Sequence, residues 1–135
     1  MKIVLDTNVF ISGVFFTGPP YQILRAWQKQ DLQIVISLEI LDEYYRVGKE
    51  LSAQFPEADL NSVLELVTTK ADLIKAALLD EAVCDDPDDD KFFACAISGE
   101  VNIIISGDKH LLKMSGYQGI KVVRPRQFVE EYLKT

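Results

Sequence analysis

The sequence predicts an α/β fold: a three-layer α/β/α sandwich around a central parallel sheet of four to five strands. Three observations carry that expectation. The run Ile103-Ile104-Ile105-Ser106-Gly107-Asp108 and its echo Ile3-Val4-Leu5-Asp6-Thr7-Asn8 are short, apolar and β-branched, and each ends abruptly in an aspartate. Such runs match central strands buried on both faces of a parallel sheet. Strand-like runs alternate with helix-like periodicity along the chain. The length of 135 residues matches one domain, expected to span 1–135.

In order, residues 2–5 form the first strand. Residues 9–16 read as a short helical or irregular segment broken by Gly13 and closed by Gly18-Pro19-Pro20. Over 21–30, Ile23, Leu24, Ala26 and Trp27 recur at helical spacing after Pro20. Residues 33–36 form a second strand, and Ser37 is placed to cap a helix over 38–49 that Gly48 ends or that runs on towards Phe55. Pro56 opens another helix over about 57–70. Residues 71–79 fit neither helix nor strand clearly. After an acidic loop, a buried helix over 90–98 ends at Gly99. A third strand covers 101–106, a short helix follows Asp108, a fourth strand covers 121–123, and Pro125 starts a last helix to about Lys134.

Composition narrows the function classes. No apolar run approaches the roughly 18 residues of a membrane span, and Asp6 interrupts the first apolar run too early for a secretory leader. A cytoplasmic protein without membrane contact is therefore expected. Cys84 and Cys95 are the only cysteines and His110 the only histidine, which excludes the usual zinc sites and favours two buried free thiols over a disulfide. Net charge is −7, yet seven of the 21 acidic residues lie between Asp80 and Asp90, and the other 14 balance the 14 bases. One segment thus sets the acidic pI of 4.6. A concentrated acidic patch can signal bound divalent cations, whose charge inverts the local electrostatics.

The carboxylates carry the functional reading. Asp6 ends strand one, Glu43 faces inward from the helix after strand two, Asp89 lies at the mouth of the buried helix, and Asp108 follows strand three. Singly, each has an ordinary explanation: a strand-end turn for Asp6, a solvated face for Glu43, helix caps for Asp89 and Asp108. Jointly they fall at one end of one sheet, where open parallel sheets bind ligands. Like charges 4 Å apart repel by about 4 kcal/mol at an effective dielectric near 20, so protons or hard cations must offset them. Mg²⁺ or Mn²⁺ suits such oxygen donors and hydrolysis at phosphorus. A calcium EF-hand is excluded: Asp86, Asp88 and Asp90 have its opening spacing, but Lys91 and Ile97 stand where Gly and Glu are required. A phosphatase of the haloacid dehalogenase type would need aspartate where Asn8 stands.

The motifs Leu5-Asp6-Thr7-Asn8-Val9, Ser37-Leu38-Glu39-Ile40-Leu41-Asp42-Glu43-Tyr44, Asp86-Pro87-Asp88-Asp89-Asp90-Lys91-Phe92 and Ile105-Ser106-Gly107-Asp108, in this order, resemble the PIN-domain ribonucleases. The likeness is to the VapC-like toxin components of toxin–antitoxin pairs, and it extends through Val123-Arg124-Pro125-Arg126-Gln127-Phe128. It implies Asp6, Glu43, Asp89 and Asp108 as the acidic metal site for Mg²⁺ or Mn²⁺, with Asn8 and Ser106 hydrogen-bonding to it. Asp90 is the alternative to Asp89, and Asp86 a further assisting ligand. Ser106 stands where many relatives carry Thr. The resemblance also implies an RNA substrate, a homodimer and a small antitoxin protein as partner. After Asp108, the bases Lys109, Lys113, Lys121, Arg124, Arg126 and Lys134 outnumber Glu130 and Glu131, an excess that would guide an RNA backbone or serve as ordinary surface charge. The expected activity is metal-dependent endoribonuclease. The alternatives are an RNA-processing nuclease without an antitoxin and a non-catalytic metal- or partner-binding domain.

Overall fold

In the computed structural model, which describes residues 1–133, the apolar runs become five parallel strands. These are β1 (Lys2–Leu5), β2 (Gln33–Ile36), β3 (Asp72–Leu73), β4 (Ile103–Ile105) and β5 (Lys121–Val123), in the sheet order β3-β2-β1-β4-β5. Ile3, Val4 and Leu5 of β1 are all fully buried, and so are Ile104 and Ile105 of β4. Successive strand side chains point to opposite faces, so both faces of the sheet are covered and the fold is an α/β sandwich.

The chain builds outward from β1 to β2 and β3, then crosses back to lay β4 and β5 on the other side. The order reverses between β1 and β4, which pair in parallel with Leu5 beside Ile105. That register sets Asp6 level with Ser106 at the carboxyl end of the sheet. A crevice at such a reversal is where open α/β sheets place their ligands.

Helix α1 (Thr7–Phe15) starts directly after Asp6 and is followed by α2 (Pro19–Gln28). Gly13 lies inside α1, in close approach to α2: a Cβ there would stand 2.6 Å from Leu24 Cδ1 and 2.8 Å from the Pro20 carbonyl oxygen. Helix α3 (Leu38–Ser52) begins at Ser37, whose hydroxyl accepts from the Ile40 amide at 3.3 Å, and it runs through Gly48. Gly48 is likewise a packing residue, since a Cβ would lie 3.0 Å from Leu60 and 3.5 Å from Ile11. Helix α4 (Leu60–Lys70) begins three residues later than Pro56-Glu57 suggests, because the Asp59 carboxylate accepts from the Ser62 amide at 3.3 Å and sets its start.

Residues 71–79, unassigned from the sequence, contain the two-residue strand β3, which pairs with Val35 and Ile36 at the edge of the sheet. A short 3₁₀ turn, Pro87–Asp89, leads into α5 (Asp90–Ser98), which packs on β1, β2 and β4. Helix α6 (Lys109–Leu112) and α7 (Pro125–Phe128) follow, and α7 continues as a π-helical turn over Val129–Leu133. The expected end of this last helix, Lys134, lies outside the described residues. Cys84 and Cys95 are buried free thiols. Burial, with Asp90 beside one and Glu39 beside the other, pushes each thiol up to about 12. Among the described residues no helix is long and apolar enough to cross a membrane.

Candidate metal and nucleic-acid site

The carboxyl ends of β1 and β4 define the centre of the site. Asp6 is 5% exposed, and its amide extends the sheet by donating to the Ile105 carbonyl at 3.0 Å. The Ser106 hydroxyl donates to Asp6 Oδ2 at 2.7 Å and accepts from the Asp108 amide at 2.9 Å. One buried serine thus joins the two strand-end aspartates. Asp108 in turn caps α6, its Oδ1 accepting from the His110 amide at 2.7 Å. Burial pushes the Asp6 carboxyl above its ordinary range; Ser106 opposes the shift, and the charges of Asp108 and Glu43 add to it.

The aspartates of the acidic loop separate by their partners. Asp90 accepts from the Val83 and Cys84 amides at 3.2 and 2.7 Å, which pins the loop to the start of α5. Asp86 accepts from the Asp88 amide at 3.0 Å. Asp85 faces Lys113 at 3.2 Å and His110 Nδ1 at 3.8 Å. Asp88 pairs with Lys91 at 3.1 Å. Asp89 is different: its Oδ2 is buried with no hydrogen-bond partner among the described residues. Burial, followed by the charges of Asp108, Asp86, Asp6 and Asp88, raises the Asp89 carboxyl to about 6. An orphaned buried carboxylate oxygen beside further acids calls for a proton or a cation.

Glu43 projects from α3. Its neighbour Tyr44 is fully buried, donates its hydroxyl to the Leu5 carbonyl at 2.6 Å and stacks on Phe10 at 4.1 Å between ring centroids. This contact fixes α3 against the end of β1. Glu43 itself is ion-paired with Lys91 of α5; both side chains are nearly buried, at 13% and 14% exposure. Arg46 stands 3.8 Å away on the exposed side. Burial works against the Lys91 charge, but Glu43 and Asp88 outweigh it and hold the ammonium above the ordinary lysine range.

Asn8 is exposed, with no hydrogen bond to the acids among the described residues. Lys109, Arg124 and Arg126 are exposed. Arg124 leaves β5 at the same sheet end as Asp6, because Val123 pairs with Ile105. Sequence reasoning missed two groups: Lys91, whose spacing of three from Asp88 was the available signal, and Thr7, whose buried hydroxyl has no partner among the described residues.

Hard carboxylate oxygens and the orphaned Asp89 Oδ2 fit an Mg²⁺- or Mn²⁺-sized ion. Among the described residues no three acids, histidines or cysteines close into a ready-made cage, so binding would require the carboxylates to draw together. Clefts of about 570 and 560 Å³ lie elsewhere: one at the amino ends of β1, β4 and β5 against Lys2, Ile103 and Lys121, the other between residues 76–82 and α5. Neither is lined by Asp6, Asp89 or Asp108.

Fold and site together define a parallel α/β protein with an acidic centre at its topological switch point. Residues 2–110 match the family model described as PIN domain, and the chain belongs to the PIN-domain family, a family of nucleases. It is 32% identical to an uncharacterized protein of Methanocaldococcus jannaschii, over 99% of this chain and 93% of that relative. Its fold is similar to that in the crystal structure of VapBC2 from Rickettsia felis bound to a DNA fragment from their promoter. The TM-score is 0.54 at 14% identity, covering 92% of this chain and 98% of that one.

Proposed function

We propose that this protein is a divalent-metal-dependent endoribonuclease, with Asp6, Asp89 and Asp108 holding the cation. The observation that carries this reading is the Asp89 carboxylate, half-buried beside other acids, with one buried oxygen that has no partner among the described residues. A bound Mg²⁺ or Mn²⁺ supplies the positive charge that makes water nucleophilic and offsets charge developing on a phosphodiester. Ser106 holds Asp6 and the Asp108 backbone in one arrangement, which limits how far these ligands must move to meet the ion. Glu43, at the rim, would orient the attacking water. Asp86 would assist by its charge. Asp90, with both oxygens on loop amides, serves the loop.

Lys109, Lys113, Arg124 and Arg126 would guide the RNA backbone; Lys113 would do so in competition with Asp85. Family membership and the fold shared with the VapBC2 structure support the toxin of a toxin–antitoxin pair, held in check by a small antitoxin; it would work as a cytoplasmic homodimer.

The test offers single-stranded RNA and DNA of matched sequence to the purified protein with Mg²⁺, Mn²⁺ or EDTA. RNA cleavage confined to the metal-containing reactions is expected. Equal cutting of DNA would overturn the substrate assignment, and cleavage that survives EDTA would overturn the metal.

A further inference from the structure

Four acids converge on this site, yet one of them already has a cation. We propose that Lys91 is a built-in counter-ion for Glu43, so that the acidic centre takes one divalent cation rather than two. This rests on the metal-dependent reading above.

The Lys91 ammonium is nearly buried and fixed from two sides. It pairs with Glu43, lies 3.1 Å from the Asp88 carboxylate, and donates to the Asp88 carbonyl oxygen at 2.9 Å. The carbonyl bond belongs to the turn that opens α5, so the lysine is tied to the same backbone that presents Asp89. Arg46 cannot take its place: it is largely exposed and 3.8 Å from Glu43. Asp86 and Asp88 add charge at the rim, but with Glu43 paired the charge of the carboxylates free to act as ligands is that of Asp6, Asp89 and Asp108. One divalent cation offsets most of it. A second would lie beside a fixed ammonium, with none of these carboxylates left free to hold it. Lys91 is thus a positioning residue: it holds Glu43 at the rim and limits the metal count.

Mn²⁺ titration of the full chain, followed by calorimetry and by the loss of the free-ion electron paramagnetic resonance signal, tests this. Wild type and Lys91→Arg are expected to bind one Mn²⁺. Lys91→Gln frees Glu43 and is expected to bind a second Mn²⁺, or the first at least ten-fold more tightly. Two ions on the wild type, or a folded Lys91→Gln protein with unchanged stoichiometry and affinity, would overturn the inference while leaving the metal site standing. No Mn²⁺ on the wild type would remove the metal-dependent reading itself. Should Lys91→Gln not fold, Glu43→Gln decides: one Mn²⁺ is still expected, bound up to about ten-fold more weakly because Lys91 loses its partner, and complete loss of Mn²⁺ binding would overturn the proposal.

Discussion

The carboxylate of Asp6 is held by a hydroxyl 100 residues further along the chain, and that one hydroxyl, through two hydrogen bonds, joins two strands, two aspartates and the start of a helix. Removing it leaves a buried acid and the Asp108 amide both short of a partner. Ser106→Ala should therefore lower unfolding stability by about 2 kcal/mol, and Ser106→Thr, which keeps the hydroxyl, should cost less than half of that; chemical denaturation measures both. Asp89 behaves in the opposite sense. Its carboxyl rises from 3.8 to about 6 on folding, through burial first and then the neighbouring aspartates. The folded state therefore holds a proton more tightly than the unfolded one. That contribution is complete below about pH 4 and is lost as the pH climbs through about 6, so at pH 7 the ionised group works against the fold. In metal-free buffer Asp89→Asn should raise Tm at pH 7 by roughly 3–5 °C, corresponding to about 1 kcal/mol, and the gain should vanish near pH 4. A lower Tm at pH 7 would contradict this electrostatic account.

Helices α1 and α3 are placed by glycines that admit a neighbour. Gly13 and Gly48 both read as interruptions in the sequence, yet each lies inside a helix where another helix side chain takes the room of a Cβ. Local propensity registers the weak helix former and not the partner, which comes from elsewhere in the chain. The same limit hid β3: two residues form a strand only because Val35 and Ile36 offer an edge. Elements whose signal is local were legible, including the β-branched strands, the Ser37 cap and the buried helix ended by Gly99. Gly13→Ala should destabilise the protein by about 1–3 kcal/mol, the usual cost of overpacking. Thermal or urea melts would show it, and a neutral result would mean that α1 and α2 can move apart freely.

At the scale of the molecule, the sheet order makes the site. Asp6 and Asp108 are about a hundred positions apart, but the reversal between β1 and β4 sets their strands side by side. The places of Asp6 and Asp108 after their strands, and of Asp89 in the acidic segment before the buried helix, were readable in the sequence. Their internal wiring was not: the pairing of Glu43 with Lys91 joins α3 to α5, and Asp90 turns back to the loop amides of Val83 and Cys84. Both depend on how helices pack, which residue spacing alone does not encode. The most direct test of the account is cleavage of a mixed pool of structured and single-stranded RNA, with Mg²⁺, Mn²⁺ or EDTA, by wild type, Asp6→Asn and Asp89→Asn. These substitutions remove charge and keep shape. The account predicts metal-dependent cutting by the wild type and a loss of at least about 100-fold in each variant, near 2.7 kcal/mol of transition-state stabilisation. Equal background cleavage by all three folded proteins would contradict it.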